Sequence, residues 1–228
     1  MISRRYLVID GDDTLWENNI FFEAAAEAFI DFLDHSSLSR DQVRAALDEV
    51  ERLNIARHGY GSGAFGRNLQ ETFRRLAERQ VGREDLDHML ELARQVVSQP
   101  MQLRPGVEAT LADLSPRHDL TLFTKGEPDE QMLKVERSGL AVYFDRVVVT
   151  PEKDVAAYQG LVGEHGLDPA ATWMIGNSPR SDINPPLDAG LGAVFIPHPN
   201  TWSLEVVEVS ESDRLLVLES FDQLLDHF

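Results

Sequence analysis

Hydrophobic and polar positions along the chain follow two rhythms. Short apolar runs bounded by polar residues occur at Arg4 to Ile9, at "LTLFT" ending at Thr124 and at "RVVVT" ending at Thr150. Others are "TWMIG" ending at Gly176, "AVFIP" ending at Pro197 and "LLVL" at Leu215 to Leu218. Each reads as a buried strand. Between the later runs, apolar residues take helical spacing at Val107 to Leu114, Glu130 to Ser138, Val155 to His165 and a shorter stretch through Leu187. Strands alternating with helices predict an α/β protein with a parallel sheet covered on both faces. Ligands of such sheets bind beyond the carboxyl ends of the strands. Asp10, Thr124 and Gly176 fall at those ends.

From about Phe21 to Gln99 the alternation stops and no strand pattern is found. Four helical stretches follow one another: "FFEAAAEAFIDFLDH", "SRDQVRAALDEVERLNIARH", "GAFGRNLQETFRRLAERQ" and "REDLDHMLELARQVV". Phe22, Ala25, Ala26, Phe29, Ile30 and Leu33 recur at spacings of three and four, the stripe of a helix packing into its own bundle. Ser39 and the acidic residue after Arg40 form a helix start. Gly59, Gly61, Gly63 and Gly66 are expected to form a flexible loop between two of these helices. The expected division is residues 1–15 and 100–228 as the core and 16–99 as a helical insertion between the first and second strands.

Composition narrows the class. The 228 residues carry 43% hydrophobic and 26% charged positions, as in ordinary globular proteins. The formal charge of -18 repels phosphate backbones and anionic lipid, so nucleic acid and membranes are poor partners. A small anionic substrate, which feels the local site, is still allowed. With no cysteine there is no disulfide, thiolate zinc site or cysteine nucleophile. No 18-residue apolar run and no signal-peptide pattern are present, and the expected location is cytoplasmic. "EVVEVSESD", starting at Glu205, is expected to be solvated.

The first strand runs into "DGDDT", where Asp10, Asp12 and Asp13 crowd into four residues. At ~5 Å and an effective dielectric near 20, such charges repel by about 3 kcal/mol per pair. Side chains in extended chain alternate, so Asp10 and Asp12 tend to one side. Two carboxylates at a strand end with no basic neighbour in sequence call for a hard cation such as Mg²⁺, or else form an acidic turn.

"DGDDT" fits the pattern D-x-D-x-T, and here the chain resembles the haloacid dehalogenase superfamily, whose phosphatases open with that motif after their first strand. Three further signatures follow in order: Thr124 closing "LTLFTKG", Lys153 in "TPEKDVAAY", and Asp182 in "MIGNSPRSDI". The resemblance spans the core from Tyr6 to about Pro197. It implies a Rossmann-like sheet with an inserted α-helical cap of the family's type 1. It implies a Mg²⁺-dependent phosphatase acting on a small phosphorylated metabolite. By the resemblance Asp10 is the nucleophile that becomes an aspartyl-phosphate, and Asp12 is the general acid and then base. Thr124, Lys125 and Lys153 meet the phosphoryl group. Mg²⁺ is held by Asp10, the backbone carbonyl of Asp12 and Asp182. Asn177 stands where many relatives have Asp, as a direct ligand or as a partner of a metal-bound water.

Other residues keep two readings each. Ser181 orients Lys153 or caps a helix. His58 and Tyr60 touch substrate or lie on the surface. Trp16 lines a hinge or packs. Arg180 meets an anionic substrate or is surface charge, and Asp13 is a turn residue. Within the superfamily, dehalogenases and phosphonatases usually lack the second aspartate of the first motif, so Asp12 points away from both. A phosphomutase keeps it and is the enzymatic alternative. A catalytically degenerate phosphometabolite-binding protein is the alternative of another class.

Overall fold

The computed structural model describes residues 4–228. In chain order the elements are β1 (Tyr6–Ile9), α1 (Asn19–Leu33), α2 (Arg40–His58), α3 (Ser62–Leu76), α4 (Arg83–Ser98), α5 (Val107–Leu114) and β2 (Asp119–Lys125). Then come α6 (Pro128–Ser138), β3 (Arg146–Thr150), α7 (Val155–His165), β4 (Thr172–Gly176), α8 (Asn184–Asp188), β5 (Gly192–Phe195) and β6 (Leu215–Val217). The chain divides into two units: residues up to Glu17 together with Met101–Phe228, and Asn18–Pro100. Among the described residues no helix is long and apolar enough to cross a membrane.

In the first unit six parallel strands lie in the order β3-β2-β1-β4-β5-β6. β1 lies between β2 and β4, and its side chains alternate to cover both faces of the sheet. Leu7 and Ile9 pack with Leu111, Leu122, Ile175 and Leu224, while Val8 packs on the other side with Phe123, Tyr158 and Met174. The chain builds outward from β1 through β2 to β3, then returns to β4 on the other flank. The order therefore reverses beside β1, the place where open parallel sheets leave a crevice at their carboxyl end. Asp10 continues β1 far enough for its N–H to donate to the Ile175 carbonyl at 2.9 Å. The residues leading out of β1 pair antiparallel with those leading into α5, at Trp16 and Leu103.

The second unit is α1 to α4, with Ala26, Phe29, Leu47, Leu69, Phe73 and Met89 at its centre. Ser39 closes a capping box on α2: its hydroxyl accepts from the Gln42 N–H at 3.2 Å, and Gln42 Oε1 accepts from the Ser39 N–H at 2.9 Å. The expected glycine loop is shorter than its glycines suggested. Only Gly59 to Gly61 are non-helical, and Gly63 and Gly66 lie inside α3. Gly66 serves packing: a Cβ there would sit 3.1 Å from both Ala93 Cβ and Leu90 Cδ2, so its absence lets α3 and α4 approach.

Candidate active site

Asp10 lies one residue past β1, and burial leaves its carboxylate two partners. Oδ1 meets Lys153 Nζ at 2.5 Å, and Oδ2 accepts from Thr14 Oγ1 at 3.1 Å. Lys153, immediately before the Asp154 cap of α7, is 2% exposed and also reaches Asp182 Oδ1 at 2.8 Å. One buried ammonium thus sits between two carboxylates, 5.5 Å above the Phe123 ring. Asp182 comes from a π-helical turn, Pro179–Ile183, that follows β4. Its Oδ2 accepts from the Ser178 N–H at 3.1 Å. Gly176 makes this approach possible, since a Cβ there would lie 2.4 Å from Asp182 Oδ2. Burial and the Asp182 charge outweigh Lys153 and raise the Asp10 carboxyl to about 7. Burial works against the Lys153 ammonium, but Asp10 and Asp182 together raise its pKa above the ordinary lysine value.

Asn177 completes this corner. Thr201 Oγ1 donates to the His198 carbonyl at 3.0 Å, so its oxygen can only accept from Asn177, whose Nδ2 lies 3.0 Å away. That turns Asn177 Oδ1 toward Thr14 Oγ1, at 3.1 Å. The single Thr14 hydroxyl hydrogen then faces two oxygens, Asp10 Oδ2 and Asn177 Oδ1. An oxygen-rich, hydrogen-poor corner beside two carboxylates that share one ammonium suits a hard divalent cation. Asp10, Asp182 and Asn177 are the side chains that could hold it.

Asp12 belongs to a different set of contacts. Its Oδ1 accepts from Trp16 Nε1 at 2.7 Å and Lys134 Nζ at 3.0 Å; its Oδ2 accepts from Lys134 Nζ at 2.7 Å and Gln131 Nε2 at 3.1 Å. Burial alone would raise its carboxyl, but the Lys134 charge and these donors together hold it below the ordinary carboxylate value. The two aspartates therefore do not converge on one cation through their side chains. Gln131 Oε1 in turn accepts from Thr124 Oγ1 at 3.0 Å at the end of β2. Asp13 adopts the left-handed conformation (φ 61°) expected of a turn residue.

Lys125 lies elsewhere. Its Nζ is 2.5 Å from Glu205 Oε1, 2.8 Å from Ser181 Oγ and 3.5 Å from Glu152 Oε1. Ser181 Oγ also donates to Glu205 Oε2 at 2.5 Å, so Ser181 serves Lys125 and Glu205 and does not orient Lys153. Glu205 is buried, against the expectation of a solvated acidic stretch, because an ammonium and a hydroxyl replace its water. Arg180 is exposed. Asp13, Glu17 and His198 bring three potential ligand atoms within 4.8 Å. There His198 Nδ1 accepts from the Asn200 N–H at 3.2 Å, so Nε2 carries the proton toward Glu17 at 3.1 Å. The Arg104 guanidinium, 2.5 Å from the Asp13 carbonyl and 4.0 Å from Glu17, supplies the positive charge. Glu17 and His198 therefore meet each other, with Arg104 beside Glu17.

Sequence reasoning passed over Thr14, Gln131, Lys134, Thr201 and Glu205. Gln131 and Lys134 did leave a signal: spaced three apart after the second motif, they share one face of a helix. Thr201 and Glu205 left none, because only the folded path of residues 197–208 brings them to the site.

A family model described as "Haloacid dehalogenase-like hydrolase" matches residues 33–196. Phosphoserine phosphatase of Thermus thermophilus is 32% identical over 100 residues, 41% of this chain and 40% of that protein. N-acylneuraminate-9-phosphatase of Rattus norvegicus is 32% identical over 100 residues, 42% of this chain and 40% of that protein. The aligned part thus spans about two-fifths of the length of these curated relatives. A haloacid dehalogenase-like family hydrolase from Xanthomonas campestris superposes with a TM-score of 0.87 at 28% identity, over 99% of this chain and 90% of that one.

Proposed function

The chain belongs to the haloacid dehalogenase-like hydrolases, and from that premise we propose that it is a Mg²⁺-dependent phosphatase of small phosphate monoesters. The observation that carries this reading is Lys153 held between the buried carboxylates of Asp10 and Asp182. The two relatives with phosphatase names support it. Asp10, Asp182, Asn177 and the Asp12 carbonyl would hold the metal. When bound, it neutralises carboxylate charge and polarises phosphoryl oxygens.

In the first step an Asp10 oxygen attacks phosphorus, the bond to the leaving oxygen breaks, and that oxygen takes a proton from Asp12. Lys153 stabilises the charge on the transferring group, and the Thr124 hydroxyl turns its one hydrogen from Gln131 Oε1 to a phosphoryl oxygen. In the second step water attacks phosphorus, Asp12 takes its proton and the Asp10–phosphorus bond breaks. Phosphate and the free carboxylate are released. The resting contacts of Asp12 favour its ionised form and so suit the second step. The first step requires it to leave Lys134 and gain a proton. A halide departs without a proton, so carbon–halogen cleavage would leave the acid role of Asp12 idle. The reading assigns substrate selection to the inserted helical unit. Lys125, committed to Glu205, is given a structural part.

Hydrolysis of an aryl phosphate should require Mg²⁺, and Asp10→Asn should abolish it. Full turnover in excess chelator would remove the metal from the mechanism, and turnover by Asp10→Asn would remove the nucleophile. A panel of phosphorylated sugars, nucleotides and acids would then identify the substrate class.

A further inference from the structure

Gln131 has no part in the four motifs, yet both ends of its side chain end on motif residues. It is 3% exposed on the first turns of α6. Nε2 donates to Asp12 Oδ2 at 3.1 Å, and Oε1 accepts from Thr124 Oγ1 at 3.0 Å. The amide can lie only this way round, because an ionised carboxylate accepts and does not donate. Thr124 must therefore be the donor to Oε1. Gly126 leaves room for the amide: with φ +145°, it has no Cβ, and one there would sit 2.9 Å from Gln131 Nε2. Lys134, three residues on along the same helix face, holds both Asp12 oxygens, so α6 contributes two donors to a single carboxylate.

We propose that Gln131 is a positioning residue that ties the Thr124 hydroxyl to the Asp12 carboxylate in the resting site and, once that hydroxyl turns to a phosphoryl oxygen, still holds Asp12 for proton transfer through Nε2. The proposal rests on the phosphatase reading. Substrate binding does not need Asp12 in its exact orientation, whereas proton transfer does. Loss of the tie therefore separates kcat from KM. Misplacement of a catalytic group by about 1 Å can cost ~100-fold in rate.

The test uses the full chain with Mg²⁺ and an aryl phosphate, comparing wild type, Gln131→Met and Gln131→Glu. Gln131→Met should keep KM within about threefold while kcat falls ~10- to 100-fold. Rapid quench should show a burst of phenol followed by slow turnover, and intact mass should show phosphate retained on the protein. Gln131→Glu keeps the acceptor for Thr124 but turns an oxygen on Asp12, so it should be slower still. A packing role predicts instead that Gln131→Met, close in volume, keeps kcat near wild type. If either variant fails to fold, Gly126→Ala moves the same amide without removing it and should give the same split in milder form. Variants with wild-type kcat, or a KM rise that matches the loss in kcat with no phosphoryl adduct, would overturn the proposal. Absence of Mg²⁺-dependent turnover in wild type would instead overturn the phosphatase reading beneath it.

Discussion

The Asp10 carboxyl stands at about 7 where 3.8 is usual, because burial and Asp182 oppose its charge more than Lys153 supports it. The folded chain without metal therefore binds a proton there that the unfolded chain has already released. This contribution to stability is fully present below pH ~4 and is lost as pH rises from ~4 through ~7. Asp10→Asn carries no such charge. In chelator, thermal melts of Asp10→Asn should gain on wild type as pH is raised from 5 to 8, by on the order of a few kcal/mol. Mg²⁺ should cancel the gain by stabilising the wild-type carboxylate. A constant difference across the range would mean that Asp10 is already ionised at low pH.

At the scale of the elements, helix ends and stripes were legible because they depend on neighbours a few residues away. Val107–Leu114 and Val155–His165 coincide with their expected limits, and Ser39 caps α2. Glycine was misread, because its meaning depends on what stands opposite. Gly160 lies exposed inside α7 with nothing within 4 Å of where a Cβ would sit, so Gly160→Ala should raise stability by about 0.5–1 kcal/mol. Gly66 touches α4, so Gly66→Val should lower stability by about 1–3 kcal/mol through overpacking. Denaturant titrations of the two variants check both signs. Equal effects would mean that α3 and α4 do not pack through Gly66.

At the scale of the molecule, residues 197–208 are tied to the sheet by the Lys125–Glu205 pair, and the same segment carries Thr201 to Asn177. Lys125→Met strands a buried carboxylate and should cost up to about 3–5 kcal/mol. The double change Lys125→Met with Glu205→Leu should recover most of that loss, since no unpaired charge is left. KM for phosphate esters should stay near wild type in both, while the Mg²⁺ concentration needed for half-maximal stabilisation should rise as Asn177 loses its anchor. A large rise in KM with an unchanged melting temperature would return Lys125 to the phosphate-binding set.

What the sequence by itself determined is local or periodic. Alternation at Leu7, Val8 and Ile9 demanded a strand buried on both faces. Helical stripes demanded an inserted helical segment. Asp10, Thr124, Lys153 and Asp182 followed strand ends, where a parallel sheet leaves its ligands. Tertiary structure decided the partners. Lys153 reaches Asp10 across 143 positions of chain and Lys134 reaches Asp12 across 122, so neither pairing has a periodic signature. Lys125 and Lys153 look alike as basic residues near motifs, yet one closes on Glu205 and the other on Asp10 and Asp182. The physical reason is desolvation: a buried charge must take whatever opposite charge the folded path brings within reach, and only the fold sets that path.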